Sequence, residues 1–317
     1  MIVNVVKDWH AEGCPTTPEA IEHANRVVEG ATWHSFNRNF IVQERDENRA
    51  PVTLSSNFYC SRLIAYDMIG GHEEERFTLD TRNKFGIGDM VEVWTIAQII
   101  LAFHWHDDYE IINPMYAGDQ LTVNATFAGD ELGGRPDLVF RFKGNLYVAD
   151  IKSMNDMSFG FAMRGKDIHE NMKGKIKPPY YSDKFGRRTQ LANYIVAVEA
   201  VSGFFVGVSK GDGKMFEDEV TLEEATGLYK NAYLSYTHAK THVSCDEIPS
   251  RPPWATENLV KGAKPWKGEI AHVRCSYCKR RPVCWPEHTL APLKGQVKYR
   301  RNLSDAEAEN FHNNPAE

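Results

Sequence analysis

The sequence predicts an α/β fold in which helices flank a central mixed β-sheet, or α+β if antiparallel strands prevail. Three observations predict it. Residues 87–104 carry Met90, Val91, Trp94, Ile96, Ala97, Ile100 and Leu101 at three- and four-residue intervals, the period of an amphipathic helix. Three short, partly alternating, β-branched stretches then run from Gln120 to Phe127, Pro136 to Phe142 and Leu146 to Ile151, separated by turns such as Lys143-Gly144-Asn145. A helical stretch and another strand follow, so the order is α–β–β–β–α–β around a mixed sheet.

The elements follow in chain order. A helix is expected over 17–30, opening after Thr16-Thr17-Pro18, and a second after Cys60, carrying Leu63, Ile64, Tyr66 and Met68 to a stop at Gly70-Gly71. After the helix and three strands named above, 153–186 is polar and rich in Gly and Lys, which predicts a long functional loop with a helical turn. Residues 188–201 read as helix, Phe204–Val208 and Met215–Val220 as strands, and 221–240 as a final helix. The sequence therefore divides into an N-terminal extension (1–55), a core (56–245), a Pro/Trp-rich connector with a cysteine cluster (246–301) and a polar tail (302–317).

An apolar content of 42% and a charged content of 25% place the chain among ordinary globular proteins. No apolar run approaches the roughly 18 residues of a membrane span, and the N-terminus lacks a signal-peptide pattern, so the expected compartment is the cytoplasm. The net charge of −6 argues against a protein that simply coats nucleic acid. Basic residues are nevertheless concentrated in 164–188 and 274–301, which flank the candidate chemistry and suit phosphate contact.

That chemistry starts from Asp137, in Gly-Arg-Pro-Asp, and Asp150-Ile151-Lys152, thirteen positions on. A hairpin turn around Gly144 brings both carboxylates to one sheet edge. Side chains alternate along a strand, so Asp150 and Lys152 share a face while Ile151 points into the core. Adjacent carboxylates repel, and a divalent cation such as Mg²⁺ or Mn²⁺ relieves the repulsion. Lys152 can then orient an attacking water and offset charge in phosphodiester cleavage. Taken alone, Asp150 and Lys152 read first as an edge-strand salt bridge; with Asp137 in Gly-Arg-Pro-Asp beside them the two readings stand level. Gln190 and Tyr194, at i and i+4, lie on one face of the next helix, and Arg187-Arg188 at its start can meet a phosphate.

Gly-x-x-Asp, then Asp-x-Lys, then Gln-x-x-x-Tyr in the following helix resembles the RecB-like branch of the PD-(D/E)xK nucleases. Lys210, in Ser-Lys-Gly-Asp-Gly after the next strand, resembles phage-encoded members. The resemblance covers roughly residues 56–290 and implies a restriction-endonuclease-like core. It assigns metal binding and water activation to Asp137, Asp150 and Lys152, with the Ile151 carbonyl as a further ligand, and support of the site and the DNA strand to Gln190 and Tyr194. Where the family places a His, in Gly-x-x-x-His, this chain has Gly88-Asp89-Met90-Val91-Glu92; Glu92 is an equally competent Mg²⁺ ligand. His104 and His106 are read as structural or surface residues.

Of six cysteines, Cys275, Cys278 and Cys284 are spaced C-x₂-C-x₅-C, which is ligand spacing. A fourth ligand is either His288, giving a zinc site, or Cys60. The second choice resembles the four-cysteine iron–sulfur branch of the same family, seen in AddB-type nuclease domains and CRISPR-adaptation exonucleases. There one early and three late cysteines clasp the domain around a 4Fe–4S cluster, tying a long loop and substituting for core packing. Cys14 and Cys245 read as buried or free thiols. The resemblance implies a Mg²⁺- or Mn²⁺-dependent DNA exonuclease serving phage or mobile-element recombination, replication or host-DNA degradation, with DNA as partner and a host-cytoplasmic location if phage-encoded. Two alternatives stay open: a flap- or junction-selective endonuclease, and a non-catalytic DNA-binding subunit of the same fold.

Overall fold

The structure, a computed structural model of the 317-residue chain, describes residues 1–40, 52–56, 58–71, 79–113, 121–163, 186–251, 256–258, 269–271, 275, 278–284, 289–291 and 299–301. They form two compact units, one of Met1–Tyr59 with Phe77–Thr237, the other of Cys60–Arg76 with His238–Glu317.

The first unit is built on a five-stranded sheet of β1 (Tyr109–Asn113), β4 (Leu138–Phe142), β5 (Asn145–Met154), β6 (Ser202–Ser209) and β7 (Met215–Thr221), in the order β1-β4-β5-β6-β7. Only β5 and β6 run parallel; the other neighbours are antiparallel, so the sheet is mixed. The remaining strands, β2 (Val123–Phe127) and β3 (Asp130–Gly134), form a separate hairpin. The sequence had suggested that the stretch ending at Phe127 belongs to the main sheet. Its place is taken by β1, a short strand too polar at Glu110 and Asn113 to stand out in the pattern.

Helices cover both faces. Against one lie α1 (Ile2–Ala11), α2 (Pro18–Phe40) and α4 (Leu79–Trp105), and the core there joins Trp9, Val27, Ile96, Ile99 and Phe103 to Leu138, Phe140, Ala149, Ile151 and Val206. Removing such side chains from water is the dominant favourable contribution to folding. The α1 helix, absent from the sequence reading, docks through its N-terminus: Glu217 on β7 pairs with the terminal amine and accepts a hydrogen bond from the Val3 amide at 3.0 Å. A carboxylate at that helix end is favoured by the helix dipole. Helix α2 starts where the sequence places it, with Thr17 Oγ1 capping the Ala20 amide at 3.2 Å, but runs ten residues beyond 30.

The α4 helix begins eight residues before 87, and its segment Arg82–Trp105 is long and apolar enough, by length and composition, to cross a membrane. Charged residues such as Asp89 and Glu92 lie within that segment, so no uninterrupted apolar run of that length stands in the sequence. In the fold this is the central core helix, with Ile96, Ile99, Ile100 and Phe103 buried in that cluster. On the opposite face of the sheet lies α6 (Arg187–Ala197). Gly203 on β6 admits it closely, since a Cβ there would stand 2.8 Å from Ile195 and 3.0 Å from Leu191. Between β5 and α6 the helix α5 (Asp156–Met163) occupies part of the expected 153–186 loop; residues 164–185 lie outside the described set. Helix α7 (Leu222–Ser244) completes the unit and continues beyond it.

The second unit contains α3 (Ser61–Ile69), which stops at Gly70 as expected, the end of α7 and a short α8 (Arg281–Cys284). Its sheet of four three-residue strands, β8 (Thr256–Asn258), β9 (Glu269–Ala271), β10 (Thr289–Ala291) and β11 (Tyr299–Arg301), has the order β10-β11-β9-β8. The tail beyond 302 lies outside the described residues.

Candidate active site

The β4–β5 ladder ends at the pair Leu138–Ala149. One step farther along the same register stand Asp137 and Asp150, so the two acids face each other across the strands and project to the same side. With no β4 backbone left to pair with, the Ile151 amide donates instead to Asp137 Oδ2 at 2.8 Å. Asp137 thus closes the ladder with its side chain, and the hairpin at Gly144 (φ +81°) sets the register that places it there. Ile151 turns into the core and is fully buried, as its position between two same-face residues requires.

Lys152 joins the acids from that face. Its Nζ stands 2.8 Å from Asp150 Oδ1 and 3.5 Å from Asp137 Oδ2. Asp150 is completely buried and its second oxygen, Oδ2, has no hydrogen-bond partner. Burial pushes its carboxyl up to about 7, with Asp137 and Glu92 adding to the rise and Lys152 opposing it. For Lys152, burial favours the neutral form, but the three carboxylates outweigh it and hold the ammonium well above the usual lysine range.

Glu92 enters from α4. Its Oε1 accepts from the Ser153 amide at 2.8 Å and from Ser153 Oγ at 3.0 Å. Burial raises its pKa, Lys152 lowers it and Asp137 raises it again, so Glu92 belongs to the same electrostatic group as the acids on the sheet. Gly88, one turn earlier, makes room for this approach: a Cβ there would stand 2.6 Å from Lys210 Nζ and 2.8 Å from Ser153 Oγ. Lys210 follows β6, its amide donating to Met154 O at 2.8 Å and its ammonium to Lys84 O at 3.1 Å. Burial lowers its pKa, while Glu92 and Asp89 support the charge. The sequence reading missed Ser153; the only available signal was its place directly after Asp-x-Lys.

Gln190 and Tyr194 meet on α6 as their spacing predicts, with Gln190 Nε2 donating to Tyr194 Oη at 3.3 Å. Tyr194 is only 1% exposed, its ring lying against Gly134. Burial pushes its phenol to about 12, and Asp150 and Asp137 add to the rise. It is therefore a wall of the acid pocket rather than a surface grip. Arg188, expected to meet a phosphate, is instead paired with Asp218 and with Glu224 (2.6 Å). His104, read as a structural or surface residue, is exposed, and its Nε2 lies 2.9 Å from His23 Nδ1.

All six cysteines are free; in the second unit Cys60, Cys278 and Cys284 influence one another electrostatically. Burial raises the Cys60 thiol and pushes that of Cys278 up to about 12. The Cys278 amide donates to Cys275 O at 3.2 Å, closing the C-x₂-C turn, and the Cys284 amide donates to Arg280 O at 2.9 Å. Arg62 Nε donates to Cys284 Sγ at 3.3 Å, and Arg251 holds the Cys284 carbonyl at 2.5 and 3.1 Å. Arg280, in the basic run expected to touch phosphate, is buried against Asp67 (3.0 Å). His288, the alternative zinc ligand, lies outside the described residues.

Among the described residues, no three His, Cys, Asp or Glu side chains are drawn together as a metal cage. In the acidic pocket the Lys152 ammonium stands beside both aspartates. The donor set nevertheless suits a hard cation. Three carboxylates share one ammonium, and a fully buried carboxylate oxygen has no donor. The chemistry of the cysteine set would suit a thiophilic centre, its four cysteines being half-buried with an arginine donor to one sulfur.

No family model and no curated protein matches the chain. Among solved structures, the crystal structure of SSO0001 aligns with 81% of this chain and 95% of that chain, at 13% identity and a TM-score of 0.38. A likeness at that level carries no inference, so function has to be read from the residues.

Proposed function

We propose that this chain is a divalent-metal-dependent DNA nuclease with a RecB-like PD-(D/E)xK core, working as an exonuclease. The observation that carries the reading is the end of the β4–β5 ladder. There Asp137 and Asp150 stand opposite each other with Lys152 against both, and Asp150 Oδ2 is buried without a partner. A salt-bridged hairpin would need neither a second acid nor a third from α4.

Asp137, Asp150 and Glu92, with the Ile151 carbonyl, would hold Mg²⁺ or Mn²⁺. The cation would supply charge stabilisation at the phosphate and make a water acidic enough to attack at neutral pH. Lys152, held firmly as an ammonium, donates hydrogen bonds and offsets the charge that builds on the phosphate oxygens; it is not the base. Ser153 fixes the Glu92 carboxylate by two donors. Tyr194 and Gln190 close the pocket beside Asp150 and exclude water from it. The basic segment 164–188 would line the DNA path, with Arg188 committed to the fold. Cys60, Cys275, Cys278 and Cys284 would hold a 4Fe–4S cluster that ties their segments together; zinc with His288 is the alternative that iron and zinc analysis decides.

The test uses linear and covalently closed circular DNA with Mn²⁺. Degradation of linear DNA by the wild type, with loss in Asp150→Ala but retained DNA binding, is the expected result. Cleavage of the circles would replace exonuclease by endonuclease. No cleavage of either substrate, or full activity in Asp150→Ala, would overturn the assignment.

A further inference from the structure

A second group of possible ligands, made of residues other than the acids and the cysteines, lies in the second unit. His238 and His242 are four residues apart on α7, so their rings share one helix face. Their Nε2 atoms stand 3.1 Å apart, with ring centroids at 4.6 Å and planes near perpendicular. Each remaining ring nitrogen has its own partner: His242 Nδ1 lies 3.1 Å from Glu247 Oε2, and His238 Nδ1 lies 3.0 Å from Ser61 Oγ.

The carboxylate decides the tautomer of His242. Glu247 can only accept, so His242 carries its proton on Nδ1 and presents a bare Nε2 lone pair. Without an ion, His238 fills the gap by donating from its own Nε2, and the Ser61 hydroxyl donates to His238 Nδ1. The Ser61 hydroxyl can equally accept. When it does, His238 moves its proton to Nδ1 and both Nε2 atoms become bare, 3.1 Å apart. Two metal–nitrogen bonds of about 2.0–2.1 Å at a tetrahedral angle place their nitrogens about 3.3 Å apart. The observed separation needs almost no rearrangement.

We propose that His238 and His242 bind a divalent transition-metal ion, Zn²⁺ or Ni²⁺ being the suitable class, through their Nε2 atoms. Glu247 and Ser61 act as outer hydrogen-bond partners that orient the two imidazoles. Imidazole nitrogen selects these ions over Mg²⁺ and Ca²⁺, which take oxygen ligands, so the site is chemically distinct from the acidic pocket. The remaining coordination positions are open to water or an external ligand. The inference does not depend on the nuclease reading.

The experiment counts metal. Untagged full-length chain, purified with its cysteine site loaded, is dialysed at neutral pH against Ni²⁺ with excess Mg²⁺, and nickel per chain is measured for wild type, His238→Ala and His242→Ala. The expected result is one nickel fewer per chain in either alanine variant. Glu247→Gln, which keeps both imidazoles, should weaken binding by about 10–100-fold. Equal nickel content and affinity in wild type and all three variants would overturn the proposal, as would displacement of the ion by Mg²⁺.

Discussion

Asp150→Asn separates the cost of the acidic pocket from its use. Burial pushes the Asp150 carboxyl up from the ordinary 3.8 to about 7. At about 1.36 kcal/mol per unit, ionising it in the metal-free folded chain costs on the order of 4 kcal/mol relative to the unfolded chain. The sign follows from proton binding. Below pH 4 the group is protonated in both states and stability is at its full value. Between about 4 and 7 the folded chain keeps a proton that the unfolded chain releases, so stability falls as pH rises; above 7 the whole cost is present. Asn cannot ionise and is free of this cost. Guanidinium unfolding with chelator at pH 4.5 and 8.5 should therefore show the wild type losing about 3 kcal/mol more than Asp150→Asn across that interval, the remainder of the cost already being present at pH 4.5. Mg²⁺ or Mn²⁺ at pH 8.5 should restore part of the loss in the wild type alone. Equal pH dependence in the two proteins would refute the reasoning, because it would mean that Asp150 is not held in its protonated form by the fold.

Two further outcomes follow from the same geometry. Lys152→Met should abolish cleavage and, by leaving buried carboxylates without their counter-ion, destabilise the metal-free chain by about 3–5 kcal/mol at neutral pH, measured by denaturant midpoint. Gly134→Ala places a Cβ 2.6 Å from the Tyr194 ring and 2.8 Å from Leu54 Cβ, so a cost of about 1–3 kcal/mol and a lowered Tm are expected; an unchanged Tm would show that Tyr194 is not held as a wall.

Much of the site was legible because it depends on short periods. A strand's two-residue repeat places Asp150 with Lys152 and turns Ile151 inward, and a helix's four-residue neighbour relation joins Gln190 to Tyr194. Glu92 was legible as one turn past Gly88, though the need for that glycine appears only when Lys210 and Ser153 close on it. The strand β1 and the hairpin strand β3 were not legible. The first is short and polar at two of its five positions, and the second ends in Gly133-Gly134, so neither carries the apolar alternation that marks a strand.

By itself, the sequence determined a mixed sheet flanked by helices, the acids and lysine, the paired Gln190 and Tyr194, and the ligand spacing of the cysteines. These are local facts, written in residue type and spacing. That antiparallel pairs prevail in the sheet, with β5–β6 its one parallel pair, was left to the tertiary structure. Tertiary structure alone decided which charges are available. Arg188 and Arg280 look like solvated basic surface until Asp218 with Glu224, and Asp67, are brought to them across long stretches of chain. It also decided that Asp150 is buried with one oxygen unpartnered and that Tyr194 is a wall, because desolvation depends on everything packed around a side chain rather than on its neighbours in sequence.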